Sequence, residues 1–128
     1  FGARPVTVIN YIEGTRFTPD KHAQQGSPYR YLLRPKTGGL ACGLNALGRK
    51  SALLLDMTLI YPDRAPSFWK LLSARIRRIV VNIDVVPIDD ALFGDYVSDA
   101  AYRARFQTWI NARWARKDAL IAREHGHA

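Results

Sequence analysis

A carboxylate, a glycine, a hydroxyl and a guanidinium follow one another at Glu13, Gly14, Thr15 and Arg16. The forked guanidinium of arginine can hold two oxygens of a phosphate group at once. A glycine lets the backbone approach a ligand closely. Glu13 cannot bind phosphate itself, so we expect it to orient Arg16 or a nearby backbone group. The four residues therefore indicate either an anion clamp or a local ion pair, and the residues alone leave both open.

The apolar run before these residues predicts the element that positions them. Val6–Ile12 is short, rich in β-branched residues and almost continuously apolar, which is typical of a strand covered on both faces of a parallel sheet. Gly14 allows the chain to turn, and Thr18–Asp20 contains the proline of a loop. We therefore expect the four polar residues at the carboxyl end of a central strand, where open α/β sheets bind ligands.

A second cation, Lys36, stands just before a glycine pair in the stretch RPKTGGLA. The leucine spacing that follows predicts a helix from about Gly39 to Gly48. The amide groups of a helix start favour an anion. Lys36 is therefore a second candidate for contact with an anion.

The remaining chain predicts two more strands and two more helices. The strands are expected over 52–61 and 77–88, a short helix over 67–76, and a long helix from Ser98 to about Arg123, with a polar loop over 18–35. Together these patterns predict an α/β fold with a mostly parallel sheet flanked by helices. The predicted apolar stripe of the long helix consists of Tyr102, Phe106, Trp109, Ile110, Ala112, Leu120 and Ile121.

Composition limits the classes of protein to which the chain can belong. Its 128 residues and 48% hydrophobic content suit one globular domain with a core. The 19 Lys and Arg residues exceed the 11 Asp and Glu residues, and the net charge of +8 suits nucleic acid or anionic lipid as a partner, or arginines that only solvate helix faces. No run reaches the roughly 18–20 apolar residues that span a bilayer. With a single cysteine, Cys42, neither an intrachain disulfide nor a thiolate metal cluster can form.

Four stretches resemble the glycerolipid acyltransferases, the lysophosphatidic acid acyltransferase superfamily. YIEGTR, residues 11–16, resembles the E-G-T-R signature of that family. Residues 34–41, 56–66 and 106–121 resemble later landmarks of the family in the family's order. The last of these is similar to a subgroup that includes lysocardiolipin and lysophosphatidylinositol acyltransferase-like proteins and bacterial relatives. The resemblance implies that residues 1–95 are the C-terminal half of an acyltransferase domain and that residues 96–128 are a helical extension.

The resemblance also implies an activity. It is O-acyl transfer from acyl-CoA or acyl carrier protein to a lysophospholipid in phospholipid synthesis, with 1-acylglycerol-3-phosphate as the first candidate acceptor. Arg16 and Lys36 would contact the acceptor phosphate, with Glu13, Gly14 and Thr15 in the same site. Neither a metal nor a prosthetic group is implied. The expected partner is an anionic membrane surface on the cytoplasmic side, the inner membrane in a bacterium, and no nucleic acid.

The catalytic motif of the family, a histidine and an aspartate separated by four residues, is absent from these 128 residues. The fifth residue after His22 is Ser27, and the other two histidines, His125 and His127, lie too close to the end. We assign no catalytic residue, and we expect a C-terminal fragment that is inactive alone. The alternative is a non-catalytic remnant, or a domain that binds a lysophosphate or an anionic membrane.

Overall fold

The computed structural model describes residues 4–49, 53–62, 73, 76 and 78–126. Within these ranges the chain forms three α-helices, two β-strands and one short 3-10 helix. The predicted helix over 67–76 lies almost entirely outside the described residues. In chain order the elements are α1 Pro19–Gln25, α2 Gly38–Leu47, β1 Leu54–Ile60, β2 Val80–Val86, the 3-10 helix Asp90–Leu92 and α3 Ala100–Gly126.

The sheet is antiparallel, so the prediction of a mostly parallel sheet is wrong for the described residues, although the fold is α/β. β1 and β2 pair from Leu54 opposite Val86 to Ile60 opposite Val80. Both strands lie where the sequence predicts them. The third predicted strand, Val6–Ile12, joins no sheet among the described residues, and its Ile9 and Tyr11 are 74% and 81% exposed. An apolar run reports a tendency to be buried, but it contains no information about the direction or partner of a strand.

The two faces of the sheet differ in chemistry. One face carries Thr58, Ile60 and Val86, which are buried, together with Asp56 and Asp84. Residues paired across the strands make the opposite face apolar, and each of them is about half exposed. This apolar face consists of Leu55, Met57, Leu59, Val81, Ile83 and Val85.

The long helix α3 supplies half of the core cluster. The Asp99 carboxylate accepts a hydrogen bond from the Tyr102 amide at 3.0 Å, which caps the helix start. The predicted stripe is confirmed at four buried positions, whereas Ala112 is exposed and Trp114 replaces it in the core. The core cluster is made of Tyr29, Ala41, Leu44, Leu92, Tyr102, Phe106, Ile110 and Trp114.

The segment over 18–35, predicted as a loop, contains the short helix α1. Thr18 caps this helix by accepting from the Lys21 amide at 3.2 Å, and Pro19 stands in the first turn. Gly26 ends it with a φ of 54°. The signal for this helix was present in Thr18 and Pro19, which the loop prediction read only as a turn. The helix α2 is confirmed, and Gly48 follows its last residue.

Candidate anion-binding site

The E-G-T-R stretch forms a tight turn that lies against Lys36. The Gly14 amide donates to the Tyr11 carbonyl oxygen at 2.9 Å, and Gly14 has a φ of 69°. The Lys36 amide donates to the Ile12 carbonyl oxygen at 2.7 Å. A Cβ added at Gly14 would lie 3.4 Å from Lys36 Cδ and 3.6 Å from its Nζ. Because Gly14 has no side chain, the Lys36 side chain can lie over the turn.

The start of α2 lies next to Lys36 in the chain and has no side-chain cap. The Thr37 hydroxyl does not cap the helix; it hydrogen-bonds Tyr96 Oη at 2.6 Å and donates to Gln107 Oε1 at 2.9 Å. Asn10 Nδ2 lies 3.5 Å from the position of a Cβ at Gly39. The first amides of a helix have no partner within the helix and carry a partial positive charge. This end of α2 can therefore attract an anion.

A third cation, Lys21, joins the site from α1. Its Nζ donates to Thr15 Oγ1 at 2.6 Å and to the Arg16 carbonyl oxygen at 3.4 Å. The Arg16 side chain is exposed, and it has no hydrogen-bond or ion-pair partner among the residues that the structure describes. Lys21 was missed from the sequence because its role depends on α1, which folds the chain back toward Thr15.

The Glu13 carboxyl group lies near Trp114 and Lys117 of α3. Burial raises the pKa of its carboxyl group, against the lowering effects of a hydrogen bond from the Leu33 amide, the charge of Lys117 and the Trp114 side chain. No ion pair joins Glu13 to Arg16 in the described part of the chain. The backbone group near Glu13 is that of Leu33, and the orienting role of Glu13 stays a prediction.

Side chains of α3 form hydrogen bonds with the backbone of residues 30–33, the segment that leads to Lys36. The Asp118 carboxylate accepts hydrogen bonds from the Arg30 amide at 2.9 Å and from the Tyr31 amide at 2.7 Å. The Trp114 indole donates to the Leu33 carbonyl oxygen at 3.1 Å. The position of Lys36 therefore depends on a helix more than 70 residues later in the chain, which no local sequence pattern indicates.

His22 makes a structural contact beside this site. Its Nε2 lies 2.5 Å from the Tyr29 carbonyl oxygen, and its ring lies 5.6 Å from that of Phe17. The described residues contain no group of three or more histidine, cysteine or acidic side chains that could hold a metal ion. Among the described helices, none combines the length and apolar character needed to cross a membrane.

No family model and no solved structure matches the chain. The chain is similar to the mouse (Mus musculus) protein 1-acyl-sn-glycerol-3-phosphate acyltransferase gamma, with 29% identity over 119 residues. The match covers 86% of this chain and 30% of the mouse protein, so the chain spans less than a third of that relative's length. This distant, partial similarity supports a relationship to the acyltransferases over the matched residues.

Proposed function

We propose that this chain forms the part of an acyltransferase domain that binds the phosphate of a 1-acylglycerol-3-phosphate acceptor. The observation that carries the proposal is the placement of Lys36 over Gly14, next to the uncapped start of α2. Arg16, which has no partner among the described residues, supplies the fork for two phosphate oxygens. The distant similarity to the mouse acyltransferase agrees with this assignment.

The proposed reaction joins an acceptor hydroxyl to an acyl group. The hydroxyl oxygen attacks the thioester carbonyl while a base takes the hydroxyl proton, the new C–O bond forms, the C–S bond breaks, and the sulfur takes up that proton and leaves as a thiol. The donor is acyl-CoA or acyl carrier protein, and the reaction needs neither a metal nor a prosthetic group. Because the His-x4-Asp motif is absent from these 128 residues, the chain contributes acceptor binding rather than the base. We also propose that its positive charge meets an anionic membrane surface.

Binding of glycerol 3-phosphate to the 128-residue chain tests the proposal. We expect NMR shifts at the amides of Gly14, Gly38 and Gly39. Because an exposed charge pair contributes up to about 1 kcal/mol, Lys36→Ala should weaken binding about fivefold, and Arg16→Ala should weaken it by at least as much. Arg4→Ala, which removes an exposed charge elsewhere, is the matched control.

Equal affinities for the parent, Lys36→Ala and Arg16→Ala would contradict the proposal. A second candidate, a binding domain without catalytic function, is favoured by the absent His-x4-Asp motif. It predicts the same binding result but no acyl transfer by any longer protein that contains this chain. Thiol release from an acyl thioester, measured with the longer protein, separates the two candidates.

A further inference from the structure

A groove with a cavity volume of about 250 Å³ lies between the polar face of the sheet and α3. Its walls carry four cations and two carboxylates, so the charged lining has a net charge of +2. None of Glu13, Gly14, Thr15, Arg16 or Lys36 lines it, and the groove is therefore separate from the candidate acceptor site. The charged lining residues are Asp56, Asp84, Arg113, Arg116, Lys117 and Arg123.

The groove brings like charges together on one helix. Arg116 and Lys117 follow Arg113 by three and four residues, so each lies beside Arg113 on the surface of α3 and repels it. Asp56 offsets part of this repulsion, because its carboxylate accepts from Arg113 Nε at 2.9 Å and pairs with Lys117. Asp56 is thus shared between two of these three cations.

The second carboxylate of the groove, that of Asp84, forms only a long ion pair with Arg113. Arg113 Nη2 lies 3.7 Å from Asp84 Oδ2, which is too far for a hydrogen bond. The Arg113 side chain is only 12% exposed, whereas that of Asp84 is 57% exposed. The Nη groups of Arg113 make no hydrogen bond to a described residue, and they are open to the groove, because no fully buried polar side-chain atom of the described residues lacks a partner. Arg116, one turn further along α3, is exposed and also makes no hydrogen bond there.

We propose that this groove binds a phosphate group, with Arg113 and Arg116 as its main donors and Lys117 contributing charge. The two oxygens that a guanidinium binds best belong to carboxylates and phosphates. A volume of this size lies below the roughly 300–1,000 Å³ of pockets for larger ligands, so the ligand is a single phosphate or a small phosphate ester, including a lipid headgroup. Asp84 competes with the phosphate for Arg113.

An NMR titration of the 128-residue chain with inorganic phosphate tests the site, at ionic strength held constant with sodium chloride. Shifts are expected at amides of residues 113–117 and 82–84. Arg116→Gln should raise the dissociation constant about fivefold, because an exposed charge contact is removed. Asp84→Asn should lower it by roughly the same factor, since the competing carboxylate is gone. Arg105→Gln, which removes an exposed charge from α3 outside the groove, should change it little.

Two further binding experiments distinguish the possible sources of the phosphate. If glycerol 3-phosphate shifts the amides of residues 113–117 and 82–84, the groove binds a soluble phosphate ester. Vesicles containing phosphatidic acid that bind the chain, with binding reduced by Arg116→Gln, identify a headgroup. Equal effects of Arg116→Gln and Arg105→Gln, or no tightening by Asp84→Asn, would overturn the proposal. Lys36→Ala should leave the groove shifts unchanged, so failure at the acceptor site and failure at the groove are told apart.

Discussion

At the residue scale, Glu13 connects the turn to the core at an electrostatic cost. Its carboxylate gains a hydrogen bond from the Leu33 amide and the attraction of Lys117, yet burial has the larger effect and raises the pKa. The charged form of Glu13 is therefore less favourable in the folded chain than in water. The turn is held against α3 at a position where an uncharged side chain would be better tolerated.

Stability should consequently depend on pH through Glu13. The folded state binds the proton of Glu13 more tightly than the unfolded state, whose pKa is near the ordinary value of 4.5. The associated stabilisation is fully present below 4.5 and is lost as the pH rises through the folded-state pKa. The free energy of unfolding of Glu13→Gln minus that of the parent should therefore be larger at pH 7 than at pH 4. Urea denaturation at both pH values measures this, and a pH-independent difference would contradict it.

At the element scale, the start of α3 packs against Gly94 more tightly than any substitute would allow. Tyr102 is fully buried and donates its hydroxyl to the Leu92 carbonyl oxygen at 2.9 Å. A Cβ added at Gly94 would lie 2.6 Å from Tyr102 Cγ. By contrast, a Cβ at Gly43, inside α2, would meet nothing within 4 Å.

These two glycines should respond to alanine in opposite directions. Gly94→Ala should destabilise the fold by about 1–3 kcal/mol, because the buried ring of Tyr102 must shift. Gly43→Ala should stabilise it by about 0.5–1 kcal/mol, because alanine favours the helix and has open space. Urea denaturation of both variants at one pH, with the slopes compared, measures the two changes. Destabilisation by Gly43→Ala would show that its surroundings are more crowded than described.

The same elements show what a sequence can predict. β1, β2, α2 and α3 were found because alternation, glycine stops and apolar spacing are local signals. The resemblance put Lys36 in one site with Gly14, and the structure places the two residues side by side, while phosphate binding there stays a prediction. Lys21, Trp114 and Asp118 were missed because each acts through a contact made by folding, at a distance along the chain. The antiparallel pairing was missed for the same reason, since neither strand carries a local signal of its partner's direction.

At the scale of the whole molecule, positive charge is spread over several surfaces rather than one. Arg16, Lys21 and Lys36 lie around the turn, and Arg113 and Arg116 line the groove of α3. The apolar face of the sheet is a separate exposed surface of the molecule. Charge and apolar area can therefore contribute independently to an encounter with a membrane.

Salt separates these two contributions in a sedimentation experiment with vesicles. The 128-residue chain should sediment with vesicles that contain anionic lipid and not with neutral ones, because each Lys or Arg near such a surface contributes about 1 kcal/mol. The attraction extends over a Debye length of about 10 Å at 0.1 M salt and about 3 Å at 1 M, so binding by charge should be almost lost at 1 M. Binding that persists at 1 M salt would show that the apolar face contributes. A single-stranded oligonucleotide that removes nearly all of the chain from the vesicles at equal charge concentration would contradict the membrane proposal, since competition by charge alone would leave the chain shared between the two polyanions.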